Sequence, residues 1–157
     1  MEKFGLLRKS DGAAAVEFAI ILPLFITLVF GIIEFSLIMY NKAMITNASR
    51  EGARFGILFA VPIKTGEELQ TEIETKVESY LTNPSGNWKL VSFGNSAAPI
   101  VAVDPPEVDV SGDYFIEVTV RYPYDFLLMP SFVPGLPTTM DIESTTSMRM
   151  ENQDQSI

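Results

Sequence analysis

The sequence predicts an α+β protein in which a long membrane-spanning helix is followed by a second, amphipathic helix and a small antiparallel β-sheet. Three observations support this prediction. Residues 18–33 contain no charged side chain. Residues 69–81 place their apolar side chains at helical spacing, and the period of the apolar residues changes to two beyond Trp88.

The apolar segment near the N-terminus is long enough to cross a bilayer. It extends over the 28 residues of Ala13–Tyr40 and is broken only by Glu17 and Glu34. At about 1.5 Å per residue such a helix reaches roughly 42 Å, against about 30 Å for a hydrocarbon core. A cleaved secretory signal is the competing interpretation, but its apolar region usually has roughly 7–15 residues, and no clear small-x-small site follows this one.

The helical pattern continues beyond the apolar segment. One helix is therefore expected from Ala13 to Phe59, with a kink at Pro23, whose nitrogen cannot donate a hydrogen bond. Pro62 should end this helix, and the capping box Thr65-Gly66-Glu67-Glu68 should begin the next one.

Small residues and arginines occupy two neighbouring faces of this continuation. Ala48, Gly52 and Gly56 recur every four residues and form a smooth stripe that another backbone can approach closely. Arg50 and Arg54 lie beside the stripe, where they form either a solvated, salt-bridged face or a contact with a partner.

The second helix is predicted to lie on the sheet and to stop at the turn Asn83-Pro84-Ser85-Gly86. Short strands are expected at Trp88–Phe93, Ile100–Val103 and Glu107–Val110. Stronger alternation predicts strands within Asp113–Tyr122 and Thr138–Glu151. These two would pair antiparallel, and the second helix would cover their apolar face.

A proline-rich connection, Pro123–Pro137, separates the two stronger strands. It is unusually long for a compact domain. Its apolar side chains, Tyr124, Phe126 and Phe132 among them, either fold back onto the core or contact a partner.

The charge distribution points to export of the second part of the chain. Residues 1–54 have a net charge of +1 and residues 55–157 a net charge of −10. Lys3, Arg8 and Lys9 precede the apolar segment, so the N-terminus should stay in the cytoplasm. An acidic exterior domain lacks the basic patch that nucleic-acid binding requires.

The composition also limits the chemistry. The chain has no His and no Cys, which excludes the usual zinc sites, thiol nucleophiles, Ser-His-Asp triads and disulfides. No phosphate-binding or dinucleotide-binding glycine motif occurs. The acidic residues Asp104, Glu107, Asp109 and Asp113 do not have the spacing of an EF-hand loop, so a solvated turn is expected rather than a calcium site. We expect no enzyme activity, no metal, no cofactor and no small-molecule substrate.

Several residues around the apolar segment follow the pattern of a known family. A leader ends in Gly12, Ala13 is small, and Glu17-Phe18 opens a helix in which Glu-Phe recurs at Glu34-Phe35. The run Asn47-Ala48-Ser49-Arg50-Glu51-Gly52-Ala53-Arg54 follows. With these residues the chain resembles the TadE-like minor pilins of tight-adherence (Flp-type, type IVc) pilus systems, most specifically over residues 12–54.

The resemblance implies a pilin-like fold and cleavage by a prepilin peptidase between Gly12 and Ala13. Glu17 would then lie one turn from the new α-amine of Ala13 and could pair with it, within the chain or on a neighbour. Phe18, Glu34 and the stripe of Ala48, Gly52 and Gly56 would contribute to helix packing in the assembly. In the alternative interpretation, Glu17 and Glu34 are interfacial residues about 25 Å apart, at the two edges of the hydrocarbon core.

These arguments predict a minor pilin, or pseudopilin, that is held in the cytoplasmic membrane, contributes to pilus assembly and has the prepilin peptidase and other pilins as partners. The expected organisation is a cytoplasmic leader over residues 1–12, a helical segment over 13–61 and an exported α+β domain over 62–157. The alternative function is that of an uncleaved, signal-anchored protein whose exterior domain binds a ligand or an envelope component.

Overall fold

The computed structural model of the chain describes residues 7–59, 66–93, 97–108, 114–126, 135 and 137–150. This part of the chain contains two helices, α1 (Leu7–Phe59) and α2 (Gly66–Leu81), and three strands, β1 (Ile100–Val108), β2 (Tyr114–Asp125) and β3 (Thr139–Arg149). The strands form one antiparallel sheet in the order β1-β2-β3. The predicted fold class, a long apolar helix followed by a second helix and a small antiparallel sheet, is confirmed.

The first helix consists of two halves with different environments. It is continuous through Pro23, and the hydroxyl of Thr27 donates a hydrogen bond to the Pro23 carbonyl oxygen at 2.8 Å. None of the residues 12–33 is buried. From Glu34 onward, buried positions are spaced by one, three, four or seven residues, as expected for a helix that packs along one face: Glu34, Asn41, Ile45, Ala48, Ser49, Gly52, Ala53 and Gly56.

The second helix runs antiparallel to the second half of α1. Its Val77 lies beside Gly52, and its Ile73 lies beside Gly56. The backbone of α2 packs against α1 and β1, whereas the backbone of α1 packs against β2 and β3. The prediction that α2 covers the β2–β3 face is therefore wrong, because α1 itself occupies that face and displaces α2 toward the edge of the sheet.

The turn after α2 is formed as predicted. The Oδ1 atom of Asn83 accepts hydrogen bonds from the backbone N–H groups of Ser85 and Asn87, both at 3.0 Å. Gly86 has a φ of 79°, which a residue without a Cβ adopts at low cost. The predicted capping residue Thr65 and the predicted terminator Pro62 lie outside the described residues.

The strongest predicted strand is also the centre of the sheet. Ile116, Val118, Val120 and Tyr122 alternate into the core of β2, as expected, whereas Tyr114 is exposed at its beginning. β2 extends through Pro123 to Asp125 and pairs with β3 in one unbroken register from Phe115↔Arg149 to Asp125↔Thr139. Part of the segment assigned to a loop is thus strand.

The structure corrects the prediction of three short strands before β2. The candidates at Ile100–Val103 and Glu107–Val110 belong to one strand, β1, whose register shifts between Asp104 and Glu107. Pro105 and Pro106 occupy this shift, as expected for residues that cannot donate a ladder hydrogen bond. Residues 109–113 lie outside the described residues.

The segment Trp88–Phe93 is not a strand. It makes a single bridge, between Trp88 and Thr82. The backbone of Val91 bonds instead to the side chain of Asn41 on α1: its N–H donates to Oδ1 at 2.9 Å, and its carbonyl oxygen accepts from Nδ2 at 2.6 Å. A helix side chain has therefore taken the place of a neighbouring strand.

Candidate functional site

The exposed first half of α1 has the length of a membrane span. Among the described residues, one helix, Gly12–Leu58, is long and apolar enough to cross a membrane. Glu34 already belongs to the folded domain, so the part of α1 available for crossing is Ala13–Ile33, 21 residues. Its length is about 31 Å, which matches a hydrocarbon core of about 30 Å.

The residues predicted for cleavage and assembly lie at the free end of this half. Gly12, Ala13, Glu17 and Phe18 are all exposed, and no heavy atom lies within 4 Å of where a Cβ on Gly12 would be. Among the residues whose side chains the structure describes, no hydrogen bond or ion pair involves Glu17. The described residues therefore leave the face around Glu17 open to other molecules.

Glu34 lies in a different environment from Glu17. Its side chain is 2% exposed, and it lies near Tyr124 at the end of β2. Burial raises the pKa of the Tyr124 hydroxyl, and the neighbouring Glu34 carboxylate raises it further. Burial likewise raises the pKa of Tyr122. Glu34 thus marks the point where the folded domain begins on α1, and its side chain faces this domain.

The stripe of small residues is occupied by this chain's own side chains. Ala48, Gly52 and Gly56 are buried. A Cβ on Gly52 would lie 2.5 Å from Val77 Cγ2, and a Cβ on Gly56 would lie 2.6 Å from Ile116 Cδ1. The close approach that the spacing predicts is therefore made by α2 and β2 within the same molecule.

The two arginines beside the stripe remain at the surface. Arg50 is exposed. Arg54 Nη1 lies 3.8 Å from Glu51 Oε2, and the other carboxylate oxygen, Glu51 Oε1, lies 3.9 Å from Lys76 Nζ on α2. Both arginines are exposed among the described residues, and ion pairs as exposed as these contribute little to stability.

The three aromatic residues considered for partner contact have different positions. Tyr124 is fully buried in β2, so of the two alternatives its side chain folds back onto the core. Phe126 is half-buried and packs edge-on against Tyr124, with 5.4 Å between the ring centroids. Phe132 lies outside the described residues.

The structure brings together no metal-binding cluster among the residues it describes. Asp104 lies in β1 opposite Glu117. The side chains of Glu107, Asp109 and Asp113, the other carboxylates considered for calcium, lie outside the described residues.

Sequence reasoning missed Asn41, whose side chain is 0% exposed. This side chain hydrogen-bonds both the N–H and the carbonyl oxygen of Val91. A signal was present, because Asn41 lies in helical phase with the buried Glu34, Ile45 and Ala48. A polar residue on the apolar face of a helix needs a buried hydrogen-bond partner.

Comparisons with known proteins agree with the resemblance that the sequence indicates. The family model described as TadE-like protein matches residues 12–54, so the resemblance is confirmed over the first helix. No curated protein matches the chain, and no solved structure matches it. The family match and the membrane-length helix together support a membrane protein associated with a tight-adherence pilus system. This family is not one of enzymes.

Proposed function

We propose that this chain is a minor pilin of a tight-adherence pilus that is cleaved between Gly12 and Ala13 and packs into the assembly through the exposed half of α1. The match of residues 12–54 to the TadE-like family is the single observation that supports this function most strongly. The position of Glu17 on an open face of the membrane-length helix agrees with it.

The cost of placing Glu17 in a membrane supports an assembly role. A carboxylate within the hydrocarbon costs about 2.5–3.5 kcal/mol on insertion scales, and such residues usually pair with other charged or polar groups. After cleavage, the α-amine of Ala13 lies one helical turn away, about 6 Å along the axis. Pairing with this amine, or with that of a neighbouring subunit, offsets the cost and fixes the register between helices.

The folded domain packs against the second half of α1 and leaves the first half for contacts with other helices. Its core uses the half of α1 from Glu34 to Phe59, and the part of the chain that the structure describes buries none of Ala13–Ile33. A subunit built in this way offers a rigid apolar helix to other helices, and its folded domain stays outside the membrane with the N-terminus inside.

The N-terminal residue of the mature protein tests the cleavage. Protein recovered from cells that contain the peptidase should begin at Ala13, and Gly12→Leu should accumulate as the full precursor. The matched control Gly66→Leu, at the exposed start of α2, should be cleaved normally. A wild-type chain that still begins at Met1 would support the alternative, an uncleaved signal-anchored protein.

Replacement of Glu17 tests assembly separately from anchoring. Glu17→Val should insert into the membrane at least as well as wild type, because it removes a group that costs a few kcal/mol in hydrocarbon. Its crosslinking to other pilins should fall while leader removal is unchanged.

Thr27→Val is the control, because it removes a different polar group from the same span. Glu34 is less suitable, because its side chain is buried in the domain. If Glu17→Val crosslinks as well as Thr27→Val, Glu17 is an interfacial residue and the helix is a plain anchor.

A further inference from the structure

Contacts along α1 give the height of each part of the domain above the membrane. Ile116 lies beside Gly56 and Val118 beside Gly52, whereas Tyr124 lies near Glu34. β2 therefore runs downward along α1, toward the span. The backbone of Asp125, which directly follows Tyr124, is bonded to Ser92, the neighbour of the residue that Asn41 holds, so Asp125 lies nearer the level of Asn41, about 10 Å beyond Glu34 along the helix axis.

The segment that follows α2 descends to the same end. The carbonyl oxygen of Lys89 accepts a hydrogen bond from the Tyr40 hydroxyl at 3.3 Å, and Val91 is bonded to Asn41. The hydroxyl of Ser92 then exchanges two hydrogen bonds, each 3.2 Å long, with the backbone of Asp125. Phe93 follows Ser92 and thus lies at the bottom of the domain.

Exposed apolar side chains surround this end. Phe35 and Met39 on α1 are 63% and 46% exposed, and Val91 and Phe93 are 39% and 46% exposed. We call these four residues the apolar collar. All four are large apolar side chains that the described part of the chain leaves exposed, and exposed apolar surface of this kind can contact another apolar phase.

We propose that the apolar collar rests in the interfacial layer of the membrane that α1 crosses, so that the domain is attached to the lipid surface at a second point. This proposal depends on the membrane span of the proposed function. Lipid is the favoured occupant because the collar continues directly from the apolar span, and because Phe and Leu-type side chains bind where headgroups meet acyl chains. The interfacial layer on each side is about 5–8 Å thick. Phe35, two residues or about 3 Å beyond Ile33 along the helix, lies within this thickness, and the two residues from Val91 to Phe93 span up to about 7 Å, enough to reach it from the level of Asn41.

The charge of the surrounding sequence agrees with a lipid contact. The pairing of Asp125 with Thr139 means that the chain leaves β2 and returns to β3 at this same end. The sequence between these two residues contains no charged side chain.

Cysteine labelling can measure the depth of the collar, since the native chain has no cysteine. Full-length Phe93→Cys, carrying a nitroxide label, would be reconstituted in vesicles of phosphatidylcholine and phosphatidylglycerol. The measurement is the ratio of collision with oxygen, which concentrates in lipid, to collision with a water-soluble nickel complex. Leu28→Cys reports the span, and Ser147→Cys reports the exposed outer face of β3.

We expect a ratio at Phe93 that is several-fold higher than at Ser147 and lower than at Leu28. Val91→Cys should give an intermediate value, and unchanged fluorescence of Trp88 in each variant confirms the fold. A ratio at Phe93 equal to that at Ser147, with Leu28 still in lipid, overturns the collar and leaves the span intact. Protection from both reagents also overturns it, in favour of a second protein chain. A water-accessible Leu28 instead refutes the membrane span and the proposed function.

Discussion

Replacement of Gly52 by alanine tests how the domain is packed onto α1. A Cβ at this position would lie 2.5 Å from Val77 Cγ2 and 3.3 Å from Val118 Cγ1, whereas carbon atoms in good contact are about 3.5–4.0 Å apart. Val77 and Val118 are both fully buried, and a β-branched side chain has few rotamers to which it can turn. The added methyl group must therefore push α2 away from α1.

The expected change in stability is the difference between two opposing effects. Inserting a methyl group into a packed core costs about 1–3 kcal/mol, and replacing glycine by alanine within a helix contributes about 1 kcal/mol. Gly52→Ala should therefore lower the free energy of unfolding by up to about 2 kcal/mol. For a domain of about 100 residues, this lowers Tm by up to about 8–16 °C.

Thermal unfolding of the full-length chain in nanodiscs, followed by the fluorescence of its single tryptophan, Trp88, measures this change. Gly66→Ala is the matched control, because no heavy atom lies within 4 Å of a Cβ placed there, and its Tm should change little.

A second background isolates the steric effect at Gly52. In Val77→Ala, the methyl group that would collide with the new Cβ is absent. Gly52→Ala should then raise the free energy of unfolding by about 1 kcal/mol, the intrinsic preference of a helix for alanine. The reasoning is refuted if Gly52→Ala is stabilising in the wild-type chain, or if its full penalty persists without the Val77 methyl group.

Two further predictions concern the membrane-proximal end of the domain. Asn41→Ala removes both hydrogen bonds to the backbone of Val91 and should destabilise the domain by about 1–3 kcal/mol, as measured by Tm. Asn47→Ala, at an exposed position, should change Tm little. Equal Tm values for the two variants would contradict a stabilising role of the Asn41 hydrogen bonds. Burial, with the nearby carboxylate on α1, holds the pKa of Tyr124 above its usual value of 10.0 in the folded state. The contribution of the protonated Tyr124 hydroxyl to stability is therefore fully present below pH 10 and is lost as pH rises through the folded-state pKa. In urea unfolding, the free energy of unfolding should fall more steeply above pH 10 for wild type and Tyr114→Phe than for Tyr124→Phe.

Local patterns in the sequence were sufficient for the elements whose periodicity is strong. The uncharged run before Glu34 predicted the membrane-length helix, and the alternation from Ile116 to Tyr122 predicted the central strand and its buried face. The spacing of Leu69, Ile73 and Val77 likewise predicted the buried face of α2. Each pattern specifies which face of one element is apolar, because the backbone period alone determines that face.

The tertiary structure decided which neighbour covers each face. The stripe of Gly52 and Gly56 faces α2 and β2 of the same chain, and α1 takes the place on the sheet that was predicted for α2. The segment Trp88–Phe93 has the composition of a strand, yet the side chain of Asn41, 50 residues away, satisfies its backbone. No local pattern contains such a long-range pairing.

The end of the exposed half of α1 was determined in the same way. The sequence offered 28 largely apolar residues, Ala13–Tyr40, and hydropathy does not distinguish a side chain in lipid from one in a protein core. The structure buries Glu34 in the domain and leaves Ala13–Ile33 exposed. The division between exposed and core-facing residues depends on which other elements of the folded chain pack against α1, and that is a property of the whole fold.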